Sequence, residues 1–188
     1  HELELDGITG RVSWERGEEG LRVGSELLRA AAGSTDISAS FELMYRKDPA
    51  ADDTLSLAFG LRDADASAYR IYMPHTVSSQ LRSWLDASIE AGHVDSAAFT
   101  YHAIFSRPDR PYSDSMQLGL EVHDAALSYH PDWPPVREAS GRLLADDRRV
   151  RAWLGSARML DSTVREAVVE VLPRRDDGRL RVRATLDG

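Results

Sequence analysis

The stretch Leu55-Ser56-Leu57-Ala58-Phe59-Gly60-Leu61 alternates large apolar residues with small ones at a strict period of two. Such alternation is typical of a β-strand with one apolar face. Residues 37–43 show the same pattern, and the polar residues 48–53 between the two stretches predict a turn. An antiparallel sheet with one dry and one wet side produces this pattern, so the pair predicts a sheet that is not sandwiched between two layers.

Working outward, further strands are predicted at residues 69–73, 94–105 and 116–122. The apolar register changes parity after residue 122, which predicts a β-bulge at His123 and Asp124. Prolines between residues 131 and 135 predict a corner of the sheet. Trp133 lies within that corner and is expected to be buried there as a packing anchor.

The two ends of the chain resemble each other. Residues 9–61 read as a meander of about four strands, and residues 140–186 repeat that order of strands and turns. Repeats of one such unit are typical of elongated folds that grow by stacking. We therefore divide the chain into a first β-meander at 1–68, a strand-helix-strands unit at 69–135 and a second meander at 136–188, all within one continuous sheet.

One helix is predicted, from His75 to Ala91. Pro74 favours an extended residue before it, and Gly92 is expected to end it. Apolar residues recur at helical spacing and form a stripe that is expected to cover or plug the sheet edge; the stripe consists of Val77, Leu81, Trp84, Leu85 and Ile89. The expected fold is mainly β with one principal α-helix, in an elongated, curled antiparallel sheet.

Composition excludes several classes of function. A formal net charge of -8 argues against nucleic-acid binding, which requires a basic face. From Arg137 onward basic residues outnumber acidic ones, which suggests either a solvated surface or a patch for anionic head groups. The absence of cysteine excludes disulfides and thiol chemistry, and neither a signal peptide nor a membrane span is visible. The chain is expected to be a piece of a larger exported protein.

No residue pattern indicates catalysis, a cofactor or a metal. Nucleotide-binding and acyl-transfer motifs are absent, and paired aspartates such as Asp52-Asp53 fall in predicted turns. His93, His102, His123 and His130 do not reproduce a zinc-binding spacing and are interpreted as scattered surface residues. The sequence therefore predicts no enzyme, no cofactor and no metal site.

The segment beyond the helix carries a family resemblance. Tyr72-Met73-Pro74, the amphipathic helix, His93-Val94-Asp95-Ser96-Ala97-Ala98-Phe99 and Ser128-Tyr129-His130-Pro131-Asp132-Trp133-Pro134-Pro135 follow one another in order. This order resembles the central region of the YhdP family, which belongs with the AsmA-like proteins of Gram-negative bacteria. The match covers residues 69–136, and a looser strand pattern extends to both ends.

The resemblance implies a segment of a periplasmic conduit for phospholipid, in a parent protein anchored in the inner membrane. Such proteins support the outer-membrane permeability barrier, and their repeats form a groove with an apolar inner surface. The expected partners are phospholipid, neighbouring repeats of the same parent chain and a second copy of this chain. The lipid-groove candidates are Leu55, Leu57, Phe59, Phe99, Tyr101, Met116, Leu118, Leu120, Val122, Leu180 and Val182.

Two alternatives remain open at the level of sequence. The chain could be a structural spacer or partner-binding module that pairs through its sheet edges and binds no ligand. It could also be a β-fold glycoside hydrolase, which would require two carboxylates about 5–9 Å apart across a cleft. The candidate residues themselves could line a groove or form a closed, dry core.

Overall fold

The computed structural model describes residues 5–72, 79–105, 114–128, 132–146, 149–172 and 179–187. Two α-helices, α1 (Tyr69–Tyr72) and α2 (Ser79–Ser88), follow a short 3₁₀ helix at Ala66–Ala68. Twelve strands account for most of the rest: β1 (Gly7–Thr9), β2 (Val12–Arg16), β3 (Gly20–Ser25), β4 (Leu28–Ala32), β5 (Thr35–Arg46), β6 (Thr54–Asp65), β7 (Ile89–Ile104), β8 (Asp114–Leu127), β9 (Val136–Asp146), β10 (Val150–Met159), β11 (Ser162–Leu172) and β12 (Arg179–Asp187).

All of these strands belong to one antiparallel sheet. From β5 to β12 each strand pairs with its neighbours in the chain. At the other end β3 and β4 lie end to end along β5, with Gly24 opposite Glu42 and Leu28 opposite Ala39. The sheet is thus a meander. The predicted mainly β fold, an elongated and curled antiparallel sheet with little helix, is confirmed.

The sheet forms a single layer. The chain exposes 13412 Å² of surface, whereas a compact monomer of 20.9 kDa exposes about 9,000 Å². Among the described residues only Leu61 and Val164 are buried apolar residues larger than alanine. Both faces of the sheet are therefore accessible over most of its area.

A line of irregular positions, which we call the crease, crosses β8 to β11 at Asp124, Glu138, Ser156 and Glu166. Asp124, Glu138 and Glu166 adopt φ values of 51°, 49° and 50°. The ladder between β9 and β10 shifts register beside Ser156. Such bulges bend strands and increase their twist. The register shift between Val122 and Ala125 confirms the bulge predicted at His123 and Asp124.

Small side chains fill the crease. The buried cluster there consists of Ala125, Ala139, Ala157, Val164 and Ala167. Half-buried apolar residues of the adjoining strand segments pack against it, among them Val122 and Leu154. Bending brings neighbouring backbones together at this line, so alanine fits where larger side chains would not.

The strand predicted at residues 69–73 is wrong. Asp65 accepts a hydrogen bond from the backbone N–H of Ser67 at 2.7 Å and thereby caps the 3₁₀ helix, from which α1 continues. Tyr69 donates to Asp86 of α2, and Arg70 Nε donates to the same oxygen at 2.6 Å. These polar contacts favour a helical turn over an extended strand.

The predicted end of the long helix is also wrong, since α2 ends at Ser88 and Ile89 already belongs to β7. Gly92 lies inside β7 with φ at 146°. A Cβ on Gly92 would lie 3.0 Å from Ala125 Cα, so glycine allows β7 to approach β8 closely. Val77 and the side chains of Leu81 and Trp84 lie outside the described part of the chain.

Trp133 contradicts its predicted burial, since 53% of it is exposed. The single-layer sheet supplies no facing layer in the described residues to cover a side chain at this corner. The division into three units stays a prediction. The sheet passes through both proposed boundaries, by the ladder between β6 and β7 and that between β8 and β9.

Candidate functional site

Strand register places the large apolar residues on one side of the sheet, which we call the apolar face. Leu57 of β6 lies opposite Phe41 of β5 and Tyr101 of β7, and Tyr101 lies opposite Met116 of β8. Two longer rows run parallel to this one. They are Ala39, Phe59, Phe99, Leu118, Ala145 and Val150, and Ile37, Leu61, Ala97, Leu120, Leu143 and Ala152.

All of the predicted groove residues occupy positions of this face. Leu55 begins a row beside Leu43 and Ala103, and Val122 lies opposite Gly141. On β12, Leu180 and Val182 lie opposite Val171 and Val169 in the backbone register; their side chains lie outside the described part. The structure thus brings the candidates together on one face. That this face binds lipid stays a prediction.

The apolar face is accessible to solvent. Leu57, Phe59, Phe99 and Leu118 are all half-buried, and 39% of Met116 is exposed. Side chains of this size reach such intermediate exposure when they pack against strand neighbours but have no second layer above them. The apolar face is therefore available to a ligand in the described part of the chain.

The opposite side, which we call the polar face, carries small and charged residues. Its central rows are Ser40, Ala58, Thr100 and Gln117, and Ser38, Gly60, Ala98, Gly119 and Leu144. Concavities of about 1000, 820 and 500 Å³ lie over this face. Their lining combines small residues of these rows with charged side chains such as Arg22, Glu42 and Arg142.

Cross-strand ion pairs balance charge on the polar face. Arg22 of β3 donates to Glu42 of β5, the strand with which β3 pairs, and this hydrogen bond raises the pKa of Arg22 above its usual value. Arg151 pairs with Glu170, and Arg142 stacks over the Trp153 ring with 4.7 Å between guanidinium carbon and ring centroid. The two faces therefore differ in chemistry as well as in side-chain size.

Beyond the crease, Glu90 joins three strands. Ser128 donates to one carboxylate oxygen of Glu90, and Arg137 Nη1 donates to the other at 2.6 Å. The hydrogen bond from Ser128 lowers the pKa of Glu90, slight desolvation of the carboxylate opposes that shift, and the charge of Arg137 lowers the pKa further. This contact ties β7 to the end of β8 and the start of β9.

Sequence reasoning missed the extension of the apolar face to the edge of the sheet. Trp14 of β2 lies opposite Val23, and Val23 lies opposite Leu43. Trp14 is 76% exposed. The signal was present, because Val12 and Trp14 alternate with polar residues, but only the register shows that they share a face with Leu55 and Phe59.

The fold and its accessible apolar face define a class: single-layer antiparallel β-sheet proteins with one apolar and one polar side. A family model described as YhdP protein matches residues 1–188, so the chain belongs to the YhdP family. No curated protein and no solved structure matches the chain. No helix in the described residues is long and apolar enough to cross a lipid bilayer.

Proposed function

We propose that this chain is a segment of a periplasmic lipid conduit, and that its apolar face shields phospholipid acyl chains during transport between the inner and outer membranes. The observation that carries this proposal is the apolar face itself. It runs from Trp14 of β2 across the sheet to Leu154 of β10, and no second layer covers it in the described residues. Membership of the YhdP family supports the same proposal.

The physical basis is the transfer of acyl chains out of water. Each methylene group that leaves water contributes about 0.8 kcal/mol. Rows of leucine and phenylalanine offer a continuous apolar surface along which an acyl chain can lie, while a phosphate head group stays in solvent. Lipid would remain bound through many such small contributions, and no bond would have to form or break.

The broader setting is part of the proposal. In it, the parent protein is anchored in the inner membrane, extends through the periplasm and supports the permeability barrier of the outer membrane. Neighbouring repeats of the parent chain would continue the apolar face on either side of this segment.

Native mass spectrometry of the purified chain, followed by organic extraction and lipid identification, tests the proposal. We expect phospholipid to accompany the unsubstituted chain. Leu120→Arg should abolish that binding, because Leu120 lies in a central row of the apolar face between Ala97 and Leu143. Gln117→Arg is the matched control, since Gln117 lies on the same strand but on the polar face.

Circular dichroism of both variants verifies that each is folded before lipid is measured. An unsubstituted chain that carries no lipid would contradict the proposal. So would equal lipid content in a folded Leu120→Arg variant and in Gln117→Arg.

A second candidate function, pairing with another β-structure through the sheet edge, is favoured by β1 and β2. Ile8 of β1 is 66% exposed, and Trp14 of β2 is exposed to a still greater extent. Edge strands also present backbone groups that can extend a ladder. The partner would be a neighbouring repeat of the parent chain or a second copy of this chain.

Light scattering after size-exclusion chromatography tests the edge. We expect the unsubstituted chain to self-associate with increasing concentration. Trp14→Lys should lower the association constant at least tenfold. Trp153→Lys is the control, because Trp153 lies far from this edge on β10. Equal association of both variants would contradict pairing through β2.

A further inference from the structure

Two histidines and two aspartates converge on the polar face where β6, β7 and β8 run side by side. His123 Nδ1 lies 2.7 Å from Asp95 Oδ1, and the imidazole rings of His93 and His123 have their centroids 4.6 Å apart. One donor atom each from His93, Asp95 and His123 falls within 4.8 Å of the other two. Asp63 Oδ1 approaches His93 Nε2 to 3.6 Å and adds a second carboxylate.

Local backbone geometry assembles this cluster. His93 and His123 are directly opposite each other in the ladder between β7 and β8. That ladder shifts register between Val94 and Ser96, which leaves Asp95 as the extra residue of a bulge. On β6, Asp63 adopts a φ of 55°, an uncommon conformation that accompanies the approach of its carboxylate to His93. Three neighbouring strands thus supply the side chains.

We propose that His93, His123, Asp95 and Asp63 form a binding site for a divalent transition metal ion of the zinc class. Two imidazoles with two carboxylates make a donor set suited to tetrahedral Zn²⁺, whereas Ca²⁺ and Mg²⁺ prefer oxygen donors alone. Metal–ligand bonds of about 2.0–2.1 Å place tetrahedral donors about 3.3 Å apart. Side-chain rotations of these partly exposed residues would have to bring the donor atoms closer than the 4.8 Å within which those of His93, Asp95 and His123 now lie, and would have to bring in Asp63, which now approaches only His93.

The spacing of these four residues in the sequence does not indicate a metal site. Asp63, His93 and His123 lie far apart in the chain, and only the pairing of β6 with β7 and of β7 with β8 brings them together. A bound ion would join three strands on the polar face, opposite the surface that we assign to acyl chains. It would stabilise the sheet by mass action, because the unfolded chain lacks the assembled site.

Titration of the purified, metal-stripped chain with ZnCl₂ by isothermal calorimetry tests the site. We expect one Zn²⁺ per chain and a higher melting temperature with Zn²⁺ than with equal Mg²⁺. His93→Ala and His123→Ala should each weaken Zn²⁺ binding at least tenfold. His102→Ala is the matched control on β7, where His102 contacts Ser56 instead; its affinity should stay within twofold of the parent value.

Absence of saturable Zn²⁺ binding up to 1 mM would overturn the proposal. It would also be overturned if His102→Ala weakened binding as much as the cluster variants. Where an alanine variant does not fold, Asp95→Asn and Asp63→Asn replace it, because asparagine preserves side-chain size while removing the anionic ligand. Unchanged Zn²⁺ affinity in both folded asparagine variants would contradict the donor set.

Discussion

The crease and the central rows of the apolar face are both formed by apolar residues, but these residues differ in size and in burial. In the crease the buried residues are mostly alanine, and Ala139 is only 1% exposed. In the central rows Phe59, Phe99 and Leu118 stay half-buried. Close packing in this sheet therefore follows from strand bending, and the largest apolar side chains contribute to an accessible surface instead of a closed core.

This difference separates two roles for apolar residues. Alanines at the crease allow bulged backbones to approach, so they determine the shape of the sheet. Leucines and phenylalanines of the central rows still expose area that a folded protein normally removes from water. That uncompensated area is what a ligand with acyl chains would cover.

The largest expected effect is a charge in the crease. Ala139→Glu should lower the free energy of unfolding by about 3 kcal/mol or more, because an unpaired carboxylate would be buried at a site without room for it. Ala145→Glu is the control in a half-buried position of the central rows, and its loss should be below about 1 kcal/mol. Urea denaturation measures both, and equal losses would remove the distinction between the two regions.

A smaller effect is expected from truncation on the apolar face. Phe59→Ala should cost about 1–2 kcal/mol, less than the 3–5 kcal/mol typical of a fully buried phenylalanine, because the face is open and no enclosed cavity forms. Thermal and urea unfolding provide the comparison. A loss near 4 kcal/mol would show that Phe59 is covered in solution, as in a closed core.

The smallest effect concerns pH and the strands beyond the crease. The pKa of Glu90 is lowered in the folded chain, so its contribution is present above the ordinary glutamate pKa of about 4.3 and is lost as pH falls through the folded value. The difference in free energy of unfolding between the unsubstituted chain and Glu90→Gln should therefore be constant above about pH 5.5 and shrink below about pH 5. Denaturation at several pH values measures it, and a difference independent of pH would contradict the contact with Ser128 and Arg137.

Alternation in the sequence predicted the long central strands and the face that their large apolar residues share. Residues 55–61 and 116–122 lie in β6 and β8, and the parity change at His123 and Asp124 is a real bulge. Period-two patterns predict strands here because each strand has one apolar side, so the alternation can be recognised from consecutive residues alone. The antiparallel order of neighbours follows from short connections along the chain.

Local patterns failed where tertiary contacts compete with them. Tyr69 and Arg70 belong to a helical turn because Asp86 binds both, and no local signal at these residues indicates that distant carboxylate. Gly92 resembled a helix stop, yet it serves close packing against Ala125. Trp133 suggested a buried anchor, but burial requires a second layer that the described residues do not supply.

The sequence by itself determined that this protein is an antiparallel sheet with one apolar and one polar face, because side-chain alternation is fixed residue by residue. Only the tertiary structure decided that the sheet is a single layer, that alanines form most of the buried cluster along the crease, and that His93, His123, Asp95 and Asp63 meet. These features depend on how separate strands are aligned. Register, bulges and the absence of a facing layer in the described residues are properties of the assembled sheet and not of any one segment.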